Sequence, residues 1–143
     1  MPSMRSVPGE PADQMNALLR LLLPFARQSI VASGELDPLG ASMATDGELE
    51  TAQGVGDPAA ALADIRAGFR ERARRGELIA AGACSAVALD EGDWPGGVRI
   101  ELEHRDAQGL TLVHPYRRSA DGDTTWGEAF RLPWEGRIWE VSD

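Results

Sequence analysis

The residues with the most chemistry to offer lie between Arg99 and Tyr116. His104 and His114 are the two histidines of the chain, and Glu101, Glu103 and Tyr116 stand among them. Two imidazoles can begin a zinc site, but zinc asks for four donors, or three and an open position. Cys84, the single cysteine, could join only from a neighbouring strand that faces the same way. The expectation is therefore one hydrogen-bonded core histidine and one near a turn, with no metal and no cofactor. Glu101 and Glu103 could divide acid and base roles if their surroundings drove their pKa values apart. Flanked by Arg99 and Arg105, they read instead as an exposed ladder of ion pairs.

Arg66, Arg70 and Arg74 recur at every fourth position, so they share one helical stripe. Such a stripe is either a solvated face that complements the helix dipole or a docking strip for a carboxylate. Asp90, Glu91 and Asp93 lack the D-x-D-x-D-G spacing of a calcium loop and read as a soluble turn. No nucleophile elbow, P-loop or G-x-G-x-x-G pattern occurs. Trp94, Trp126, Trp134 and Trp139 crowd the last third and are expected to pack or to meet a partner. The candidate ligand-binding residues are thus His114, Tyr116, Arg66, Arg70 and Arg74, with no catalytic residue among them.

These groups need elements to position them. Val98, Ile100, Leu102 and His104 alternate with Arg99, Glu101, Glu103 and Arg105, the period-two pattern of a half-buried strand. Asp106-Ala107-Gln108-Gly109 fits a type I turn, with Gly109 at positive φ in a bulge. Leu110, Leu112, His114 and Tyr116 alternate next. Pairing Asp106 with Leu110 sets His104 against Leu112, Leu102 against His114 and Ile100 against Tyr116, with every apolar residue on one face.

Before this hairpin, Met15, Leu18, Leu19, Leu22, Phe25, Ala26 and Ile30 mark a helix that begins near Pro11 to Asp13 and ends at Ser33-Gly34. Pro24 is expected to kink or split it. Asp46-Gly47 joins two short strands, Leu39 to Thr45 and Glu48 to Gln53. Asp57-Pro58 opens a second helix with a buried stripe of Leu62, Ile65, Phe69 and Ala73, and Gly76 closes it. Glu77 to Leu89 reads as a strand whose small residues let a helix pack close. Asp90 to Gly97 reads as a loop. Thr125 to Leu132 and Arg137 to Val141 complete an antiparallel meander.

The 143 residues suit one domain, 12–143, behind a flexible leader, 1–11. Formal net charge is −9, which opposes general binding to nucleic acid. No apolar run is long enough for a membrane span, and no signal peptide opens the chain, so the expected location is cytoplasmic. One cysteine suits a reducing compartment.

Four stretches, Leu22 to Ala26 (LLPFA), Pro38 to Gly47 (PLGASMATDG), Arg99 to Asp106 (RIELEHRD) and His114 to Arg118 (HPYRR), together resemble a group of small bacterial proteins of uncharacterised function. That resemblance implies a shared fold from roughly Met15 to Phe130, but no activity and no catalytic residues.

The sequence reading is an α+β domain in the order α-β-β-α-β-β-β-(β-β). It has an antiparallel sheet of about five to seven strands, with both helices on one face. Its expected role is a non-catalytic interaction module that self-associates as a homodimer, through the first helix or a sheet edge. A further protein partner is possible, and neither nucleic acid nor membrane is expected. The alternative is a small-ligand-binding domain with a pocket between sheet and helices.

Overall fold

The computed structural model describes residues 10–54, 56–91 and 93–139. The elements run α1 (Pro11–Ser33), β1 (Leu39–Ala44), β2 (Leu49–Gln53), α2 (Pro58–Arg74), β3 (Leu78–Glu91), β4 (Trp94–His104), β5 (Ala107–Arg118), β6 (Thr124–Trp126) and β7 (Phe130–Leu132). All seven strands form one antiparallel sheet in the order β2-β1-β3-β4-β5-β6, and β7 also pairs with β5. The fold is α+β, in the order expected from the sequence. Positions 1–9 of the expected leader lie outside the described residues, and Pro11 already opens α1.

α1 is a helix because its apolar residues return every three or four positions. Met15, Leu18, Leu22, Ala26 and Ile30 form its buried stripe. Leu18, Leu22 and Ile30 are fully buried, each stabilising the fold by about 1.5–3 kcal/mol relative to exposure. Gly34 ends the helix at φ 77°, where a Cβ would be strained, and its N–H reaches the carbonyl of Ile30. Pro24 does not split α1. It sits on the exposed side, where the carbonyl it leaves without a helical partner can meet water. Asp57 caps α2 by accepting the N–H of Ala60 at 3.1 Å, with Pro58 in the first turn.

The helices lie on opposite faces of the sheet, not on one. Gly82 in β3 turns its open side to Leu22 of α1, whereas Gly40 in β1 turns its open side to Ile65 and Phe69 of α2. Ala41 is the register partner of Gly82, so the neighbouring Gly40 belongs to the other face. α1 packs on Leu39, Ala41, Cys84, Ile100 and Leu102, while α2 packs on Ala81 and Ala83 together with Ile138. The reason is visible in β3: residues 78–85 are all buried, with no alternation, as a strand covered on both faces requires.

The β4–β5 hairpin forms, with each β4 residue meeting a β5 partner four residues earlier than expected. Leu102 pairs with Leu110, Ile100 with Leu112, Val98 with His114 and Gly96 with Tyr116. Because a shift of four is even, every side chain keeps its predicted face. The turn is Arg105-Asp106, closed by His104 opposite Ala107. The His104 ring helps fix it, since Nδ1 accepts the N–H of Asp106 at 2.9 Å. Gln108 and Gly109 then stand opposite the single Glu103 as a bulge. Gly109 is in that bulge as predicted, but its φ is not positive.

Asp90 to Gly97 is not a loop: β3 and β4 run on to Glu91 and Trp94, with position 92 outside the described residues. Residues 137–139 are not a strand, and the rest of that expected strand, 140–141, lies outside the described residues. Among the described residues no helix is long and apolar enough to cross a membrane.

Candidate functional site

On the α2 face, β4 presents Arg99, Glu101 and Glu103 in succession. β4 is an inner strand, so whatever covers that face removes these charges from water. Glu101 and Glu103 are 4 % and 2 % exposed, which corrects the expectation of a solvated ladder. Two different partners make their burial tolerable.

Glu101 is gripped by Arg66. Nε donates to one carboxylate oxygen at 2.8 Å and Nη2 to the other at 2.6 Å, a bidentate fork. The hydrogen bond to Glu101 raises the Arg66 pKa further, so the guanidinium stays charged. Arg99 lies beside the pair, with Nε 3.9 Å from Glu101 Oε1. That Nε is buried and makes no hydrogen bond among the described residues.

Glu103 is held by backbone. The N–H of Arg137 donates to both its oxygens at 3.1 and 3.0 Å, and those of Ile138 and Trp139 reach Oε1 at 2.9 and 3.2 Å. These three N–H groups cannot also join a sheet ladder, which is why Arg137 to Trp139 is not a strand. Burial pushes the Glu103 carboxyl above the usual range, and the three donors oppose that shift. Arg70 completes the clamp by donating to the carbonyl of Arg137 at 2.9 Å.

The result is a C-terminal segment drawn across the sheet beside α2, with the Arg137 side chain at the wall of a cleft. The cleft has a volume of about 630 Å³. Ser85 and Val87 of β3 and Arg99 of β4 lie along its sheet side, and Leu62 and Arg66 line the α2 side. Glu35 and Asp37, in the connection from α1 to β1, form the opposite rim. A smaller cavity of about 290 Å³ continues past Arg66, Arg70 and Arg137. A basic strip is thus concentrated on one groove of a chain with net charge −9.

Of the predicted candidates, Arg66 and Arg70 meet here. Arg74 does not: its side chain is exposed and lies 3.6 Å from Glu71. His114 and Tyr116 are on the other face, under α1, where Tyr116 lies 5.5 Å from Trp126 and Arg27 stands over the Trp126 ring at 4.9 Å. His114 Nε2 is buried without a partner among the described residues, and burial, reinforced by Arg27, lowers the His114 pKa. His104 and Gln14 are joined through Nε2 and Oε1 in the α1 core. Cys84 is buried, which pushes its thiol up to about 11. The two histidines and the cysteine form no common ligand set, and among the described residues no group of three or more possible metal ligands occurs.

Arg99, Arg137, Glu35 and Asp37 escaped the sequence reading as site residues. One signal was present for Arg99. Arg66 and Arg70 lie next to the apolar stripe of α2, and the charged face of β4 carries acids at every second position. An acidic strand and a basic helix edge of matching pitch are expected to meet. Arg137 carries no local signal, because only the backbone grip of Glu103 brings it to the cleft.

No family model, no curated protein and no solved structure matches the chain. The functional reading therefore rests on the geometry of this cleft.

Proposed function

We propose that the chain is a non-catalytic, small-ligand-binding domain whose cleft between the sheet and α2 takes up a small organic anion. The observation that carries this reading is Arg99. Its guanidinium lines an open cleft, its nearest carboxylate is already engaged by Arg66, and its Nε has no hydrogen-bond partner among the described residues. The Arg99 side chain is 24 % exposed and none of its nitrogens donates a hydrogen bond among the described residues, so the part of the guanidinium that reaches the cleft is available to a carboxylate. Arg137 adds a second guanidinium, and Ser85 a hydroxyl. The cleft volume falls within the range of ligand sites, about 300–1,000 Å³.

The test is a titration of the ¹⁵N-labelled protein with 4-methylpentanoate and with inorganic phosphate. Shifts of the Ser85, Val87 and Arg99 amides, absent in Arg99→Gln, are expected for at least one anion. If neither anion moves these amides, the reading is wrong.

A specific observation also favours self-association as a second reading. Phe130 and Leu132 are 42 % and 38 % exposed on β7, beside the end of the sheet. Two apolar side chains on a strand at the sheet margin suit pairing with a second copy.

A further inference from the structure

We propose that the ligand of this cleft is an aliphatic amino acid or a close zwitterionic relative, with its carboxylate on Arg99 and Arg137 and its ammonium on Glu35 and Asp37. The proposal rests on the reading of the cleft as an anion site and narrows it.

The argument is one of charges held apart. Leu39 pairs with Cys84, and Cys84 pairs with Ile100. The connection that carries Glu35 and Asp37 into β1 therefore flanks β3 on one side, and Arg99 flanks it on the other. Each strand step is about 4.8 Å, so the acidic and basic walls stand roughly 10 Å apart at the backbone, with β3 between them. Among the described residues Arg99 has no acid partner apart from the Glu101 already held by Arg66. Among the described residues neither the Glu35 nor the Asp37 carboxylate forms an ion pair or hydrogen bond. Opposite charges facing one cleft without meeting are complementary to a ligand that carries both signs.

The count of free charges points the same way. Arg66 is neutralised by Glu101, and Arg137 shares its Nη2 with Glu135 at 2.9 Å. What remains beyond Arg99 is a partial share of Arg137, which suits a single carboxylate. A phosphate dianion would be under-compensated there and repelled by Glu35 and Asp37. Leu62 and Val87 lie between the two polar walls and offer contact to a hydrocarbon side chain rather than to a third charge.

Calorimetry and amide shifts with four probes test this: L-leucine, 4-methylpentanoate (which lacks the amine), isoamylamine (which lacks the carboxylate) and inorganic phosphate. L-Leucine is expected to bind in the cleft about tenfold or more tighter than any other probe, since each of the others forfeits one charge-assisted contact. Glu35→Gln with Asp37→Asn, both at exposed positions, should bring the ratio of L-leucine to 4-methylpentanoate affinity close to one. Arg99→Gln should abolish the preference for carboxylates over isoamylamine. If 4-methylpentanoate or phosphate binds the cleft as tightly as L-leucine, the anion site stands and the zwitterion is wrong. Equal binding of isoamylamine overturns the assignment of the carboxylate. If no probe binds, both readings fall.

Discussion

The carboxylate of Glu103 holds the backbone N–H of Ile138 at 2.9 Å, across 35 residues of chain. With the N–H groups of Arg137 and Trp139 on the same carboxylate, one side chain ties the C-terminal segment to an inner strand. Removing it frees the segment that carries Arg137 to the cleft. Glu103→Ala is expected to cost about 1–3 kcal/mol, because the donors lose a buried acceptor and must find water. Amide exchange at Ile138 should speed up far more than exchange at Ile100. Unchanged protection at Ile138 would show that the grip is unimportant.

Glu103 also sets a pH dependence. Its folded pKa is raised, chiefly by burial. Between the ordinary glutamate value, about 4.3, and the raised one, the fold keeps a proton that the unfolded chain has released. The contribution of this group to stability is therefore full below the ordinary value and is lost as pH rises through the folded one. Other carboxylates add their own slopes, so the readout is the difference between wild type and Glu103→Gln in urea midpoints across about pH 4 to 8. That difference should move against the wild type as pH rises. A difference that moves the other way would mean the three N–H donors outweigh burial.

The Arg66–Glu101 fork yields a different kind of test. The two side chains are 17 % and 6 % exposed. Arg66→Ala leaves a buried carboxylate with Arg99 at 3.9 Å as its remaining cation, and about 3 kcal/mol should be lost. Arg66→Met together with Glu101→Leu removes both charges and keeps the volume, so most of that loss should return. Denaturant unfolding of the three variants decides it: a double variant no more stable than Arg66→Ala would contradict the account.

Gly109 is predicted to resist substitution for a reason other than positive φ. A Cβ there would collide with the carbonyl oxygen of Leu102 and approach the Trp134 ring nitrogen at 2.5 Å. Gly109→Ala should cost about 1–3 kcal/mol and disturb the Trp134 environment. A melt and fluorescence spectrum matching wild type would remove this packing role.

The two helices, the tight β1–β2 hairpin and the alternating β4–β5 hairpin are legible in the sequence, because each has a local pattern. Asp57-Pro58 marks a helix start whatever surrounds it, and Ile100-Glu101-Leu102 alternates whatever its register. The hairpin register differs by four because Gly109 suits both a turn and a bulge. His104 Nδ1, a side-chain acceptor without a sequence signature, helps fix the tighter turn. The faces that the helices cover are encoded in the lack of alternation along β3, where 78–85 are all buried, and its small residues alone do not distinguish one covered face from two. Least legible was the cleft. Arg137, Arg99 and Asp37 are brought together by strand order and by one buried carboxylate, and spacing along the chain encodes neither.

His104 should be neutral and should carry its proton on Nε2. Nδ1 accepts from Asp106 N–H, so Nε2 is left to donate to Gln14 Oε1. Burial lowers the His104 pKa, so this contribution to stability is present above the ordinary histidine value, about 6.5, and is lost as pH falls through the folded one. Imidazole ¹⁵N shifts read the tautomer and the midpoint directly. A midpoint above the ordinary value would overturn this assignment.

Self-association is predicted through β7 rather than α1. Leu19, Leu23 and Phe25 pack at least partly against the core, leaving Leu21 and Val31 as the large exposed apolar side chains of α1 among the described residues. Those two are ten positions apart, about 15 Å along a helix, and make no continuous patch. Phe130 and Leu132 are next-but-one neighbours on one face of β7, which pairs with β5 on its inner side. A strand edge with apolar side chains that pairs with no further strand among the described residues invites a second copy, and a two-fold axis closes such a contact. Light scattering at micromolar concentration should give a mass near twice 15.3 kDa. Leu132→Glu or Phe130→Glu should return it to the monomer value without unfolding, while Leu21→Glu should leave the dimer intact. A wild-type mass near 15.3 kDa removes self-association altogether. A dimer broken by Leu21→Glu alone would move the interface to α1.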